Sequence, residues 1–408
     1  MKTLIVAHGH PTLHKGGGEV AAYSLHRMLR ARGHLSIFVG WGGRSHSPNG
    51  GGLTQVGEDD YLLFTESEYF RFSSFSPHLP EAFGVLMEAY EPDVVHFHHY
   101  LHIGIEAAAL VKKLRPATKV VLTLHEYLAI CTNDGQLFTK SHEICEGYAP
   151  ERCATKCFPT IKPSAFFMRE ITIKSALSFV DDFVAPSVFL ARQYIAWGIP
   201  SHRITVVENP LLPGVNVYRP NSRRLVNVLE EMRIGFFGQI NFYKGLDIVV
   251  EGIRLARRLG VNVTLGIHGN FSTVATDAYI ETLKASIANL GEMASYQGIY
   301  TQSEVHALME NYHFVVMGSR WYENSPVVIQ EAIGAGVPLI VPNHGGMAEK
   351  AAGVGLMYRP GDASDLAALL AGVTGESYQE TKAAVMARAA SAEGHRIAHL
   401  EKVIALYV

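Results

Sequence analysis

The sequence predicts an α/β protein of two domains, each built on a parallel sheet that helices cover. Its 408 residues are too many for one ordinary core. Hydrophobic residues make up 48% of the chain and charged residues 18%, which is typical of a globular protein with large cores. Short apolar segments alternate with helical patterns in both halves, as expected for parallel sheets that are buried on both faces.

The first domain is placed at residues 1–212. A helical pattern at 19–34 follows the first strand, with apolar residues three and four positions apart. The predicted strands of this domain are TLIVAH (3–8), LSIFVG (35–40), DVVHFH (93–98), KVVLTLH (119–125) and DDFVAPS (181–187).

The second domain is placed at residues 213–390. A stretch with three prolines at 208–231 interrupts the alternation and is interpreted as a linker. The predicted strands of the second domain are RIGFFG (233–238), NVTLGIHG (262–269), ASYQG (294–298), FVVMGS (314–319) and VPLIVP (337–342). The remaining residues, 391–408, are predicted as an amphipathic helix that either packs back on the first domain or is an ordinary terminal helix.

Charge and hydropathy exclude some classes of function. The formal net charge of −3 argues against a general nucleic-acid-binding protein. The amino-terminal apolar run is too short for a signal peptide, and no run reaches the roughly 20 apolar residues of a membrane span. We therefore expect a cytoplasmic protein, with peripheral contact to a membrane left open.

All four cysteines lie in one predicted insert at 126–160. They are Cys131, Cys145, Cys153 and Cys157. In a reducing compartment such a cluster suggests a structural zinc site more than disulfides. The spacing matches no standard zinc signature, so inert thiols and a labile disulfide are alternatives.

In open parallel sheets, ligands bind beyond the carboxyl ends of the strands. HKGGGEV (14–20) follows the first strand, where Gly17 and Gly18 would let backbone amides approach a phosphate or a sugar; a flexible turn is the alternative. His125 ends an apolar strand and is either a donor to a sugar hydroxyl or a satisfied, half-buried histidine. The histidines of VVHFHHYLHIG (94–104) are interpreted as polar groups at a strand end rather than as metal ligands.

GFFGQINFYKGLDIVVEG (235–252) begins the second domain. Gly238 and Gln239 follow a strand, and Lys244 stands at the start of a helix. A lysine is a point charge suited to a diphosphate, whereas the positive end of a helix repels a merely solvated lysine. Lys244 is therefore a candidate phosphate ligand.

The segment WYENSPVVIQEAIGAGVPLIV (321–341) holds two carboxylates, Glu323 before a helix and Glu331 within it. Glu331 could accept the paired hydroxyls of a ribose or form a simple salt bridge, and its apolar neighbours disfavour a solvated position. The free amides at 325–327 could bind an anion.

The residues at the start of that helix are predicted to cap it. Pro326 suits the first turn, and Ser325 or Asn324 can cap the helix with a side-chain oxygen.

Taken together, these residues resemble the retaining glycosyltransferases of the GT-B fold, family 4. The resemblance covers nearly the whole chain and is carried by GGGEV, His125, FFGQINFYKG, ENSPVVIQE and GAGVPLIVPNHGGMAE. It implies two Rossmann-like domains whose sheets face each other across a cleft, the first binding an acceptor and the second a nucleoside diphosphate sugar. It also implies transfer with retention and without a required metal.

The resemblance assigns roles to residues of this sequence. Glu323, His125 and Lys244 are the catalytic candidates, with Glu323 and His125 at the donor sugar and Lys244 at the diphosphate. Glu331 would hold the ribose hydroxyls, and Tyr300 would lie beside the base. The predicted donor-binding residues are Gly17, Gly18, Gln239, Lys244, Tyr300, Asn324, Ser325, Pro326, Val327 and Glu331.

The sequence departs from the family pattern at two places. Gln239 stands where the family often has an arginine, so Lys244 and the helix amides would carry the charge, with Arg320 as a further candidate. Asn324 and Ser325 replace the Gly-Phe that the family often has after the first glutamate, which leaves the identity of the donor open.

The predicted function is transfer of a sugar to a glycan or lipid-linked acceptor, in glycan, polysaccharide or glycoconjugate biosynthesis. In a front-face mechanism the departing phosphate oxygen takes the acceptor's proton, whereas a double displacement needs a nucleophile, for which Glu323 is the candidate. The alternatives are a nucleotide-sugar epimerase of GT-B shape, a non-catalytic nucleotide-sugar binder, and a metal or redox module built on the cysteines.

SAFFMREITIKSALSF (164–179) mixes aromatic, aliphatic and basic side chains, including Phe166, Phe167, Ile171, Arg169 and Lys174. The segment could rest on a membrane surface or meet a lipid-linked acceptor. A core helix is the preferred interpretation.

Overall fold

The computed structural model describes residues 1–13, 16–43, 52–209, 227–272 and 276–408. The chain divides into two compact units. Unit 1 is Met1–Leu212 with Ile397–Val408, and unit 2 is Pro213–Arg396. Residues 210–226 of the predicted linker lie outside the described residues.

Unit 1 is built on an eight-stranded sheet. Its strands are β1 (Lys2–Ala7), β2 (Leu35–Gly43), β3 (Leu53–Gln55), β4 (Asp60–Phe64), β5 (Val94–Phe97), β6 (Lys119–Thr123), β7 (Asp182–Ala185) and β8 (Ile204–Val206). Their order is β3-β4-β2-β1-β5-β6-β7-β8, and only the pairing of β3 with β4 is antiparallel among the described strands. The inner strands are apolar because helices cover both faces.

The helices of unit 1 lie between most of its strands, as the sequence predicted. They are α1 (Gly17–Ala31), α2 (His78–Tyr90), α3 (Ala107–Leu114), α4 (Pro150–Arg152), α5 (Pro163–Leu177) and α6 (Val188–Trp197), with a π-helix at Cys153–Cys157 and a 3-10 helix at Ser201–Arg203. The α6 helix shows how its ends are fixed. Ser187 caps its start by accepting a hydrogen bond from the amide of Leu190, and Gly198 ends it in the left-handed region.

Unit 2 is built on a six-stranded sheet that is parallel throughout the described strands. These are β9 (Met232–Phe237), β10 (Val263–His268), β11 (Ala294–Gly298), β12 (Phe314–Val316), β13 (Leu339–Pro342) and β14 (Gly355–Tyr358), in the order β11-β10-β9-β12-β13-β14. The helices are α7 (Leu246–Arg258), α8 (Asp277–Ala288), α9 (Val305–Met309), α10 (Val327–Gly334), α11 (Gly345–Ala351), α12 (Ala363–Ala371) and α13 (Gly375–Ala390), with 3-10 helices at Phe242–Lys244 and Gly291–Met293.

The last helix, α14 (Ala392–Tyr407), returns to unit 1. Leu400, Val403 and Tyr407 are buried in the same apolar core as Ile5 and Leu29. The hydroxyl of Tyr407 lies 2.6 Å from Nδ1 of His96 on β5.

Both sheets reverse their strand order next to the first strand of the unit. In unit 1 the chain fills positions on one side of β1 and then continues on the other side from β5. In unit 2 the reversal lies between β9 and β12. In open α/β sheets the crevice beyond the carboxyl ends at such a point binds ligands, so these two places are where sites are expected.

The described residues include no helix that is both long and apolar enough to cross a membrane. The predicted parallel sheets are confirmed, but β3, β4, β8 and β14 were not predicted from the sequence. These strands are short or lie near the sheet edges, where partial burial gives only a weak pattern of apolar residues in the sequence.

Candidate active site

The two predicted catalytic residues of unit 2 lie together. Glu323 is buried in the segment after β12, and its Oε1 lies 2.5 Å from Nζ of Lys244 and accepts a hydrogen bond of 2.9 Å from the hydroxyl of Ser319. Lys244 ends the 3-10 helix after β9, and the side chain of Asn241 caps that helix by accepting from the Lys244 amide. A cation and a carboxylate therefore meet at the carboxyl ends of β9 and β12.

A close backbone approach brings these segments together. Gly245 has a φ of +62°, and a Cβ atom there would lie 1.9 Å from the carbonyl oxygen of Gly318. A Cβ on Gly318 would lie 2.2 Å from the carbonyl oxygen of Gly245. Only glycine fits at both positions, so Lys244 is held beside the segment that carries Glu323.

The start of α10 differs from the sequence prediction. Pro326 is the N-cap residue and not a first-turn residue, and no side chain caps the helix, so the predicted caps at Ser325 and Asn324 are wrong. The Oγ of Ser325 is instead buried without a hydrogen-bond partner. The helix begins at Val327, where the amides of the first turn are oriented to bind an anion.

Glu331 lies on the buried face of α10. Its Oε1 accepts a hydrogen bond of 2.7 Å from Nε2 of Gln302, and burial raises the pKa of the Glu331 carboxyl while that bond opposes the shift. Burial and the nearby charge of Glu331 raise the pKa of Tyr300, whose ring packs edge-on against Phe237. Glu331 and Tyr300, predicted at the ribose and the base, are therefore neighbours.

Two further residues bear on the charge of the site. Gln239 is exposed and directly follows Gly238, which has a φ of +131°. Arg320 forms a bidentate ion pair with Asp247, in which Nη1 to Oδ1 measures 2.8 Å, and its guanidinium lies over the ring of Phe242. Both cations are ion-paired, and Lys244 stays the candidate for the diphosphate because its partner Glu323 is the carboxylate predicted at the donor sugar.

In unit 1, Gly18 and His125 lie next to each other. A Cβ atom on Gly18 would lie 3.5 Å from Cδ2 of His125 and 3.3 Å from Cε1 of His8. Gly17 is the exposed first residue of α1. Burial and the neighbouring His99 and His8 lower the pKa of His125 to about 3, so its imidazole is neutral.

The histidines around β5 are hydrogen-bonded polar groups, as the sequence predicted. His96 bonds to Thr123 and Tyr407, His98 Nδ1 lies 3.1 Å from His125 Nε2, and His99 Nε2 lies 3.2 Å from Oε1 of Glu126.

Family models match the chain over both halves. The model described as Glycosyltransferase Family 4 matches residues 15–213, and the model described as Glycosyl transferases group 1 matches residues 219–390. The chain belongs to glycosyltransferase family 4, group 1. Among curated proteins, comparison by sequence finds no match.

Solved structures show that this glycosyltransferase has the GT-B fold. Anabaena HepE in complex with UDP is 17% identical, has a TM-score of 0.68 and covers 100% of this chain and 99% of its own. The sucrose-phosphate synthase of Thermosynechococcus elongatus is 15% identical, with a TM-score of 0.69 and coverage of 100% and 98%. An α,α-trehalose-phosphate synthase (UDP-forming) from Burkholderia xenovorans, in complex with glucose-6-phosphate, is 13% identical, with a TM-score of 0.66 and full coverage of both chains. HepE has also been solved with UDP-glucose.

The four cysteines of the glycosyltransferase are free thiols of intermediate burial. The thiol of Cys131 donates to the carbonyl of Asn133 and that of Cys145 to the carbonyl of Gly147, while burial raises the pKa of Cys131 to about 12 and that of Cys153 to about 11. Within the described ranges, which include all four, no three or more His, Cys, Asp or Glu side chains are arranged to hold a metal ion. The structural zinc stays a prediction.

Several residues of the glycosyltransferase site were missed in the sequence. Ser319 and Gln302 bond to the two predicted glutamates, and His344 Nε2 lies 3.0 Å from the carbonyl oxygen of Ser319. A signal was available for His344, because it follows the predicted strand at 337–342 and precedes two glycines. In unit 1 Glu126 was also missed, although it directly follows His125.

Helix α5 of the glycosyltransferase has two apolar sides. Phe166, Ile173 and Leu177 are buried, as the core-helix interpretation requires. Phe167 and Met168 are 53% and 50% exposed.

Proposed function

We propose that this glycosyltransferase transfers a hexosyl group from a UDP-sugar to an acceptor hydroxyl with retention of configuration. One observation carries the donor site: Lys244 and Glu323 meet where the sheet order reverses, and the buried, unpartnered hydroxyl of Ser325 and the start of α10 follow Glu323 closely along the chain. A buried hydroxyl without a partner is costly, and a donor phosphate or sugar oxygen would satisfy it. UDP-glucose is the first donor to test because HepE binds UDP and UDP-glucose.

The proposed chemistry places charge stabilisation in unit 2. Lys244 and the amides from Asn324 to Val327 would stabilise the departing diphosphate. Glu331 would bind the ribose and Tyr300 the base. Glu323 would accept sugar hydroxyls, since its hydrogen bonds to Lys244 and Ser319 suit a binding role better than that of a free nucleophile. We therefore favour a front-face displacement, in which the phosphate oxygen takes the acceptor's proton and no metal is required.

In this proposal unit 1 binds the acceptor, a glycan or lipid-linked saccharide in a biosynthetic pathway. The neutral imidazole of His125 would contact a sugar hydroxyl, and the amides of Gly17 and Gly18 would approach the diphosphate. Peripheral membrane contact through the exposed Phe167 and Ile171 of α5 is part of the proposal. Flotation with anionic liposomes tests it: wild type should float, Phe167→Ser/Ile171→Ser should not, and wild type that stays unbound contradicts it.

A panel of nucleotide sugars separates this proposal from its alternatives. The protein is incubated with UDP-glucose, UDP-galactose, GDP-mannose and ADP-glucose, with and without a mixture of saccharide acceptors. Release of UDP supports the proposal, an epimerised donor indicates an epimerase, and binding without turnover indicates a non-catalytic binder. Release of a different nucleoside diphosphate would keep the transferase but replace the donor.

Glu331→Ala tests the donor site directly. We expect UDP binding to weaken by about 1.5–3 kcal/mol, because a buried acceptor for two hydroxyls is lost. Calorimetry measures the affinity, and Glu376→Ala, a change at an exposed position in the first turn of α13, is the matched control. Equal affinity in Glu331→Ala and wild type would remove Glu331 from the site.

A further inference from the structure

Arg169 of α5 is a fully buried cation whose guanidinium binds backbone carbonyls. Its side chain is 0% exposed. Nε donates to the carbonyl of Phe70 at 2.6 Å, Nη1 to that of Ala129 at 2.7 Å and Nη2 to that of Leu128 at 2.5 Å. Burying a guanidinium is expensive, so these three charge-assisted hydrogen bonds must hold their acceptors firmly.

The three carbonyls belong to two irregular segments of unit 1. Phe70 lies in the segment after β4, and Leu128 and Ala129 lie in the segment after β6. A second contact joins the same segments, because the hydroxyl of Tyr69 donates to Oδ1 of Asp134 at 2.9 Å. Side chains therefore join the two segments to each other.

The segment after β6 begins with Leu124, which His125 and Glu126 follow. One oxygen of Glu126 accepts from the amide of Leu128, whose carbonyl is bound by Arg169, and the other lies 3.2 Å from His99. The carbonyl of Glu126 accepts from the hydroxyl of Tyr194 at 3.0 Å. Because Arg169 holds the carbonyl of Leu128 and the amide of Leu128 holds Glu126, the Glu126 carboxyl group and the chain that leads to His125 are held as well.

We propose that Arg169 is a positioning residue, which holds the segment carrying His125 and Glu126 in the geometry that sugar transfer needs. The inference rests on the proposed function, in which His125 contacts a sugar hydroxyl. An arginine suits this task because its planar fork donates from three different nitrogens in fixed directions, whereas a lysine has to make all its donations from one nitrogen.

The test uses the full chain with Arg169→Met, Arg169→Lys and the control Lys174→Met, which removes a cation from the same helix. Hydrogen exchange is measured over 66–75 and 126–137, and UDP release from UDP-glucose gives kcat and KM. In Arg169→Met we expect exchange in both segments to be about 10- to 100-fold faster. We expect kcat to fall about 10- to 100-fold with KM within twofold, because a misplaced group slows the reaction while the donor residues of unit 2 are untouched.

Arg169→Lys should restore part of both effects, and Lys174→Met should change neither. Exchange at the wild-type rate in Arg169→Met overturns the inference, and so does faster exchange with unchanged kcat, which would make Arg169 a support of the fold alone. If wild type releases no UDP, the proposed donor is wrong, and the positioning role is tested by NMR instead. The imidazole signal of His125 must then shift in Arg169→Met and stay unchanged in Lys174→Met. If Arg169→Met does not fold, Arg169→Gln replaces it in every measurement.

Discussion

The two units form left-handed backbone turns in different ways. In the described part of unit 2, every residue with a positive φ is a glycine, as at Gly238, Gly245 and Gly345. In unit 1, six non-glycine residues adopt it: Phe72, Glu91, His102, Asp134, Leu137 and His142. Such a conformation costs roughly 1–2 kcal/mol without glycine, so distant contacts must hold it. The left-handed turns of unit 2 are specified by glycines in the local sequence, whereas the non-glycine turns of unit 1 depend on the contacts around them.

The largest expected effect concerns the locally specified site of unit 2. Lys244→Ala should lower turnover of UDP-glucose by about 10²–10³, because Lys244 is placed beside Gly245 to stabilise the leaving diphosphate. UDP release measures it, and Lys284→Ala, which removes an exposed lysine from the same unit, should retain wild-type turnover. Turnover within a few-fold of wild type would assign the charge to the helix amides instead.

The second prediction concerns how the stability of unit 1 depends on pH. Burial lowers the pKa of His96, His99 and His125 to about 3, so the folded state keeps them neutral while the unfolded chain binds protons below about pH 6.5. Their stabilisation is present above pH 6.5 and is lost as the pH falls. Burial raises the pKa of Glu126 to about 8, which opposes this loss. Together these four groups should lower the free energy of unfolding of unit 1 by about 3 kcal/mol from pH 6.5 to pH 5.

Calorimetric unfolding at several pH values measures this loss. His96→Gln removes one of the titrating groups and should reduce the slope of stability against pH by about 1.4 kcal/mol per pH unit. An unchanged slope in that variant would show that His96 titrates normally in the folded protein.

The third prediction concerns glycine as a point of close approach. A Cβ on Gly346 would lie 1.6 Å from the carbonyl oxygen of Asn324, so Gly346→Ala should displace the Glu323–Asn324 segment and cost about 3 kcal/mol. Gly353→Ala is the control, since Gly353 has a φ of +77° but no atom within 4 Å of its Cβ position. It should cost about 1 kcal/mol through backbone strain alone. Urea unfolding gives both values, and equal costs would contradict the steric explanation.

The smallest expected effect is a gain in unit 1. Glu91 ends α2 with a φ of 49°, so Glu91→Gly should stabilise the protein by about 1 kcal/mol. Its ion pair with Arg115 is largely exposed and contributes little. Glu91→Ala, which loses the ion pair but keeps Cβ, should be close to neutral in thermal unfolding. A loss of stability in Glu91→Gly would mean that the left-handed turn carries no strain.

Most of the fold could be predicted because its signals are local. Apolar strands and glycines placed Lys244 and Glu323 after β9 and β12, where they meet. The cap of α10 was predicted wrongly, since the close approach of Gly346 to Asn324 is a tertiary contact that the motif does not contain.

The rest of the site depends on long-range contacts. Gln302 reaches Glu331 across 29 positions, and Arg169 reaches Phe70 across 99. From the sequence, Arg169 is only a basic residue of a segment that could rest on a membrane, with a core helix preferred, and in the structure it is buried. No periodicity distinguishes a solvated arginine from one that binds carbonyls of two distant segments.

The return of α14 to unit 1 has a consequence for the order of events during synthesis. His96 bonds to Tyr407, which the ribosome adds 311 residues later, and Leu400 and Val403 complete the core around Ile5. The residues of unit 2 are contiguous from Pro213 to Arg396, so they are synthesised before Ile397–Val408, which belongs to unit 1. Domains usually fold from the amino terminus onward as the chain emerges. Here the amino-terminal unit stays incomplete until α14 has been synthesised, after all the residues of unit 2.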